Sequence, residues 1–218
     1  KELAAPALDA KPEDVDFDEG LFRSRDSNRT IGLLELAEQT RAKGAPHPLN
    51  AGLDAPVNSR TFPNGCHVAE VEVDPQTGHL TLAGYAAVDD CGNVLDTTIV
   101  EGQTHGAAAM GIGQALLENT AYDDGGQLLT GSFMDYAMPR ADTFPTFSNT
   151  LDDSVPAKSN PLGAKGVGES GTVGSTPTVM NAIMDALWPL GVRNIQMPAT
   201  PQRVWLAIRH AAGRQAKG

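Results

Sequence analysis

The chain has 218 residues, with 27 acidic against 16 basic side chains and a formal charge of -11. That length admits one domain or two small ones with a real core, and the acid excess argues against a nucleic-acid surface. No apolar run approaches the roughly 20 residues of a membrane span, and Lys1 to Asp18 lacks the apolar centre of a secretory signal. A cytoplasmic location is expected. Two cysteines, Cys66 and Cys91, cannot hold an iron–sulfur cluster, which takes about four thiolates. Free structural thiols are expected instead.

In chain order, residues 1 to 60 are polar and turn-rich, with one helix expected from Gly32 to Lys43 and Gly44 as its stop. Leu33, Leu34, Leu36 and Ala37 are its apolar positions. Ala45 to Pro63 reads as an extended connection. From Cys66 to Val73 the pattern alternates, with Ala69, Val71 and Val73 on one face and Glu70 and Glu72 on the other. Asp74-Pro75-Gln76-Thr77-Gly78 is turn chemistry, and His79 to Val88 resumes as a second strand, so a hairpin is expected. Asp89 to Asn93 turns the chain again.

Thr104 to Asn119 reads as a helix with Ala108, Ile112, Ala115 and Leu116 on one face. Gly106, Gly111 and Gly113 each weaken it by about 1 kcal/mol relative to alanine, which points to close packing at those positions. Leu128 to Phe133 is a candidate strand. Thr176 with Pro177 has the form of an N-cap followed by proline, opening a helix with Met180, Ile183, Met184 and Leu187 inward and Pro189 as its end. Thr200 with Pro201 repeats the device for a last helix through Val204, Trp205 and Ile208. The fold class expected is α+β, divided into a polar segment of residues 1–60 and a region of residues 61–218.

The stretch most suggestive of a site is Gly163-Ala164-Lys165-Gly166-Val167-Gly168-Glu169-Ser170-Gly171-Thr172-Val173-Gly174. Glycines surround a single acid, Glu169, and glycine belongs where backbone takes a positive φ or approaches a ligand closely. Gly163 to Ser170 comes within one residue of one phosphate-loop pattern, and Gly166 to Gly171 satisfies the spacing of another. In the first, Glu169 stands where a lysine is required, which sets a negative charge against phosphate. The other, Gly166 to Gly171, needs a strand directly before it, and Ser159-Asn160-Pro161-Leu162 is a turn.

The loop resembles the glutamate loop of molybdenum hydroxylase large subunits, the xanthine dehydrogenase and aldehyde oxidase family, and within it the carbon-monoxide-dehydrogenase-type branch. Phe62-Pro63-Asn64-Gly65-Cys66-His67-Val68, Val100 to Gly106, Gly111 to Leu116, Gly131 to Arg140 and Met197 to Trp205 follow the same family in order. The resemblance covers about residues 60 to 210. It implies that Glu169 is the general base beside molybdenum, within hydrogen-bond reach of a metal-bound hydroxyl. It implies that the Gln103 amide binds the cofactor, donating to the groups around its molybdenum without adding charge. Gly166, Gly168 and Gly171 would bring the loop backbone close to the cofactor, and no residue here would ligate the metal directly. Lys165 either anchors the loop through a salt bridge or meets cofactor phosphates, the anchoring role being the expected one. His105 is expected to be a packed histidine.

The implied activity is oxidation of an aldehyde, a heterocycle or carbon monoxide with oxygen from water. The implied cofactor is molybdopterin cytosine dinucleotide, shared with the remainder of the large subunit, which carries an arginine-bearing loop and the dinucleotide grip that this sequence lacks. [2Fe–2S] clusters and FAD would sit on partner domains or subunits, in a homo-oligomer of heterotrimers. The 218 residues then correspond to a C-terminal piece, whether excised, proteolytic or a split subunit, inactive alone and exposing apolar surface. The alternative expectation is a structural or interaction domain that keeps the fold without a competent cofactor site.

Overall fold

The computed structural model describes residues 1–41, 46–52 and 60–215, and the chain divides into two compact units, Lys1–Val57 and Asn58–Gly218. The expected helix stop at Gly44, and residues 53–59 of the expected connection, lie outside the described residues.

The first unit is more structured than its polarity suggests. Strands β1 (Val15–Asp18), β2 (Leu21–Ser24) and β3 (Thr30–Gly32) form an antiparallel sheet in that order, flanked by the short helix α1 (Ala5–Leu8) and by α2 (Leu33–Gln39). Ala4, Ala5, Leu8, Val15, Phe22, Ile31 and Leu36 make its small core. Reading this segment as one helix therefore misses the sheet, whose strands are three or four residues long and too short to show a period. The helix, Leu33–Gln39, ends before the expected Lys43, and of its apolar positions Leu36 is buried while Leu34 is 82% exposed.

In the second unit, β4 (Asn64–Val73) and β5 (Leu80–Asp90) form the expected antiparallel hairpin. Ala69, Val71 and Val73 are half-buried against the core and Glu70 and Glu72 exposed, as the alternation requires. Strand β6 (Phe147–Leu151) lies parallel to β5 on its other side. The segment Leu128–Phe133 forms no strand; only an isolated bridge joins Tyr122 to Leu128.

Helices α3 (Thr97–Leu116), α4 (Ser170–Leu187) and α5 (Pro201–Gln215) share one core with the inner face of the sheet, in which Leu82, Tyr85, Ile112, Val179, Ile183, Leu187, Val204 and Ile208 are buried. The fold is α+β. Helix α5 starts where Thr200 and Pro201 indicate, with the Thr200 hydroxyl accepting from the Arg203 amide. The other two helices start earlier than the sequence suggests. Asp96 caps α3 by accepting from the Ile99 amide at 3.0 Å, so Gln103 lies within the helix rather than ahead of it. Helix α4 begins at Ser170, so Thr176 is no N-cap and Pro177 stands inside the helix. A proline there leaves the Val173 carbonyl without its helical donor; the flanking Thr176 and Thr178 hydroxyls donate to the Gly111 and His67 carbonyls of neighbouring elements. Met180 and Met184 are half-buried; the fully buried stripe is Gly171, Ser175, Val179, Ile183 and Leu187, a spacing of four that keeps one face inward.

Candidate functional site

Helices α3 and α4 run side by side in the same direction, and small residues let them touch. A Cβ built on Gly171 would lie 2.7 Å from the Thr104 carbonyl and 2.8 Å from the Ala107 Cβ. Farther along, the same atom on Gly111 would lie 3.0 Å from the Thr172 carbonyl. Two α4 threonines tie the helices together: Thr172 donates to the Ala107 carbonyl at 2.8 Å and Thr176 to the Gly111 carbonyl at 3.2 Å. Glu169 is the N-cap residue of α4, two positions before Gly171, and Gln103 is one position before Thr104. The parallel crossing therefore brings these two polar side chains to the same end of the pair.

The glycine loop completes that end. Gln103 Oε1 lies 3.6 Å from where a Cβ on Gly168 would stand, whereas nothing lies within 4 Å of that position on Gly166. Gln103, Gly166, Gly168 and Glu169 are all exposed, and Gly171 is buried against α3. Gln103, Gly168 and Glu169 thus lie near one another at the exposed start of α4, and Gly171 makes the helix contact beneath them, while no contact places Gly166 against any of them. Among the described residues no group of three or more His, Cys, Asp or Glu is placed to hold a metal ion.

The loop is pinned to the end of β5. Lys165 donates to Asp90 at 2.6 Å, and the two side chains are only 9% and 15% exposed. The Lys165 hydrogen bond, and then that of the Gly92 amide, hold the Asp90 carboxyl below the usual carboxylate range. The Lys165 amide also donates to the Cys91 carbonyl at 2.7 Å and the Asn93 amide to the Gly163 carbonyl at 3.1 Å. Gly92, at φ 65°, sits so close to Gly163 and Lys165 that no side chain fits. Lys165 is thus an anchor. Sequence reading missed its partners Asp90 and Gly92, 75 and 73 residues upstream, because a long-range ion pair leaves no local pattern.

Beside the loop lies a cavity of about 500 Å³ lined by residues of β4, β5 and α4, among them Gly65, His67, Asp89, Glu169 and Val173. His105 takes no part in it; its ring packs 5.7 Å from that of Phe147. Cys66 and Cys91 are free thiols, the first exposed and the second buried, and burial pushes the Cys91 thiol up.

The family described as molybdopterin cofactor-binding domain matches residues 1–145. The chain belongs to that family. It is 36% identical over 214 residues to the nicotine 6-hydroxylase large subunit of Paenarthrobacter nicotinovorans, covering 95% of this chain and 26% of the relative. To the carbon monoxide dehydrogenase large chain of Hydrogenophaga pseudoflava it is 34% identical, covering 96% and 26%. Among solved structures, quinoline 2-oxidoreductase from Pseudomonas putida 86 matches with a TM-score of 0.83 at 33% identity, covering 96% of this chain and 28% of that one. The copper- and molybdenum-containing carbon monoxide dehydrogenase matches with a TM-score of 0.82 at 32% identity, covering 96% and 27%. The chain spans about a quarter of the length of these molybdenum hydroxylase large subunits. No described helix is long and apolar enough to cross a membrane.

Proposed function

We propose that this chain forms part of the molybdopterin-binding subunit of a molybdenum hydroxylase, contributing the catalytic base Glu169 and the cofactor contact Gln103. The observation that carries the reading is the parallel α3–α4 crossing, which gathers Gln103, Gly168 and Glu169 at one open end while Lys165 and Asp90 hold the loop from behind. The donor set fits the cofactor: an uncharged amide, a single carboxylate and glycine backbone with open space in front of it. Such a set approaches an anionic metal–dithiolene group without ligating the metal, which the cofactor's own sulfurs hold.

When bound, the cofactor supplies the site of oxygen transfer and accepts two electrons. The net reaction adds oxygen from water to an electron-poor carbon and releases two protons with the two electrons. Glu169, ionised, takes one proton on a carboxylate oxygen, and proton acceptance of this kind contributes about 10²–10⁴-fold. The Gln103 side chain donates through its amide N–H and orients the cofactor relative to that carboxylate. Gly166 and Gly168 allow close backbone approach. The substrate is an aldehyde, a heterocycle or carbon monoxide. The cofactor is the cytosine dinucleotide form, and electrons leave through [2Fe–2S] clusters and FAD on partner domains or subunits. Exposed Leu129, Phe133, Met134 and Met138 support further protein packing over this unit.

The test is Glu169→Gln in the loaded enzyme. It preserves volume and hydrogen-bond reach and removes the proton acceptor. Cofactor content should survive while substrate reduction of molybdenum, followed by rapid mixing, slows by at least about 10²-fold. A near-native rate at full cofactor loading would show Glu169 to be only an acid at a helix terminus.

A further inference from the structure

Beneath the first turns of α4, three side chains form a buried polar chain with no role in the reaction described so far. His67 Nε2 is 3.2 Å from Asp89 Oδ1, and Nδ1 is 2.6 Å from the Tyr85 hydroxyl. The His67 and Asp89 side chains are 3% and 2% exposed, and Tyr85 is 5% exposed. A carboxylate can only accept, so Nε2 carries the ring proton in the neutral imidazole and Nδ1 accepts from the tyrosine. Burial raises the Tyr85 pKa, which keeps that hydroxyl protonated. His67 and Asp89 share a sheet face because Ala87 pairs with His67 and Asp89 is two residues on.

Helix α4 rests directly on this imidazole. A Cβ on Gly174 would meet the His67 ring at 2.5 Å, and Thr178 reaches the His67 carbonyl at 3.5 Å. His67, Asp89, Glu169 and Gly174 line the same cavity, and Glu169 is the one other ionisable side chain among its lining residues. Asp89 and Asp90, pointing to opposite sides of β5, thus brace two supports: Asp89 the helix, through His67, and Asp90 the loop, through Lys165.

We infer that His67, oriented by Tyr85 and Asp89, is a positioning residue for Glu169 that sets the height of the α4 N-terminus above the sheet. The inference rests on the reading of Glu169 as the base. An error of about 1 Å in the place of a catalytic group is enough to slow the chemical step about 100-fold. His67 is the one hydrogen-bond partner of the Asp89 carboxylate among the described residues, since Oδ2 has none. Removing His67 alone would strand a buried carboxylate, so the informative variant is the pair His67→Ala/Asp89→Ala.

In the loaded enzyme that variant should slow substrate reduction of molybdenum about 10–100-fold, with cofactor content and substrate Kd within about two-fold. His67→Gln, whose amide N–H can still donate to Asp89, should recover most of the rate. On the 218-residue chain itself, hydrogen exchange should quicken at residues 168–174 and stay protected at Ile112–Leu116 and Ile183–Leu187. A milder Tyr85→Phe variant should move the same amides in the same direction, and it serves if the double variant does not fold. Unchanged rates, or protection lost uniformly through α3 and α4, would overturn the positioning role. If Glu169→Gln proves fully active while residues 168–174 still loosen, the base assignment fails and the bracing stands. If Glu169→Gln is inactive and the His67 variants are not impaired, the bracing fails alone.

Discussion

Replacing Gly111 with alanine tests whether the α3–α4 contact holds the candidate site together. The added Cβ would stand 3.0 Å from the Thr172 carbonyl and 2.8 Å from Thr176 Oγ1, with Ser175 Oγ closer still. Ser175 is fully buried, so its hydroxyl can relieve the clash only by turning within the packed helix interface. The Thr172 carbonyl is helix backbone and cannot move alone. Thr176 can yield only by giving up its bond to the Gly111 carbonyl, which contributes about 1 kcal/mol. Overpacking of this kind costs about 1–3 kcal/mol, and the better helix propensity of alanine returns about 1 kcal/mol. With the lost bond included, the net expectation is a loss of about 1–3 kcal/mol, or roughly 2–12 °C in melting temperature for a chain of this size. Gly106 is the control: it lies in the same helix with nothing within 4 Å of its Cβ position, so Gly106→Ala should stabilise by about 1 kcal/mol. Denaturant titrations of both variants give the two signs directly. Adding Thr176→Ala to Gly111→Ala should show a coupling of at least about 0.5 kcal/mol. If Gly111→Ala is as stabilising as Gly106→Ala, the helices are not held at this contact and the placement of Glu169 beside Gln103 loses its support.

Lys165→Met should loosen the loop, measured as faster amide exchange at residues 163–169. Because Asp90 is depressed in the folded chain, its contribution is present above the ordinary carboxylate value of about 4 and is lost as pH falls through the lowered value. The stability gap between wild type and Lys165→Met should therefore be full at neutral pH and close in acid; a gap that persists below about pH 2 would contradict the assignment. Tyr85 acts in the opposite direction. Its raised pKa means stability that is intact below about pH 10 and lost as pH rises beyond it, so alkaline unfolding should begin there and move to higher pH in Tyr85→Phe. The 218-residue chain alone should carry far less than one molybdenum per chain by metal analysis, since Gln103 and Glu169 supply only part of a cradle; stoichiometric metal would refute this.

Much of the second unit is legible locally. The period-two pattern from Ala69 to Val73 marks β4 because a half-buried strand must alternate. Thr200-Pro201 marks the start of α5 because a capping hydroxyl and a proline both suit a helix end. Glu169 stands out as the lone acid in a run of glycines. What the sequence could not locate is what neighbours decide. The glycine-rich first turns of α4 have poor helix propensity, and they are helical because Gly171 and Ser175 fit against α3. Strand β6 is five residues long and exists through its parallel pairing with β5, whose partner lies some 60 residues away. Gln103 appears in sequence as a polar residue ahead of a helix; only the parallel packing of α3 on α4 sets it against Gly168 and beside Glu169. The anchors Asp89 and Asp90 look like a turn signal and instead finish a strand, whose alternation sends one toward His67 and the other toward Lys165. Local chemistry names the residues able to act, and close approach of distant backbone decides which of them meet.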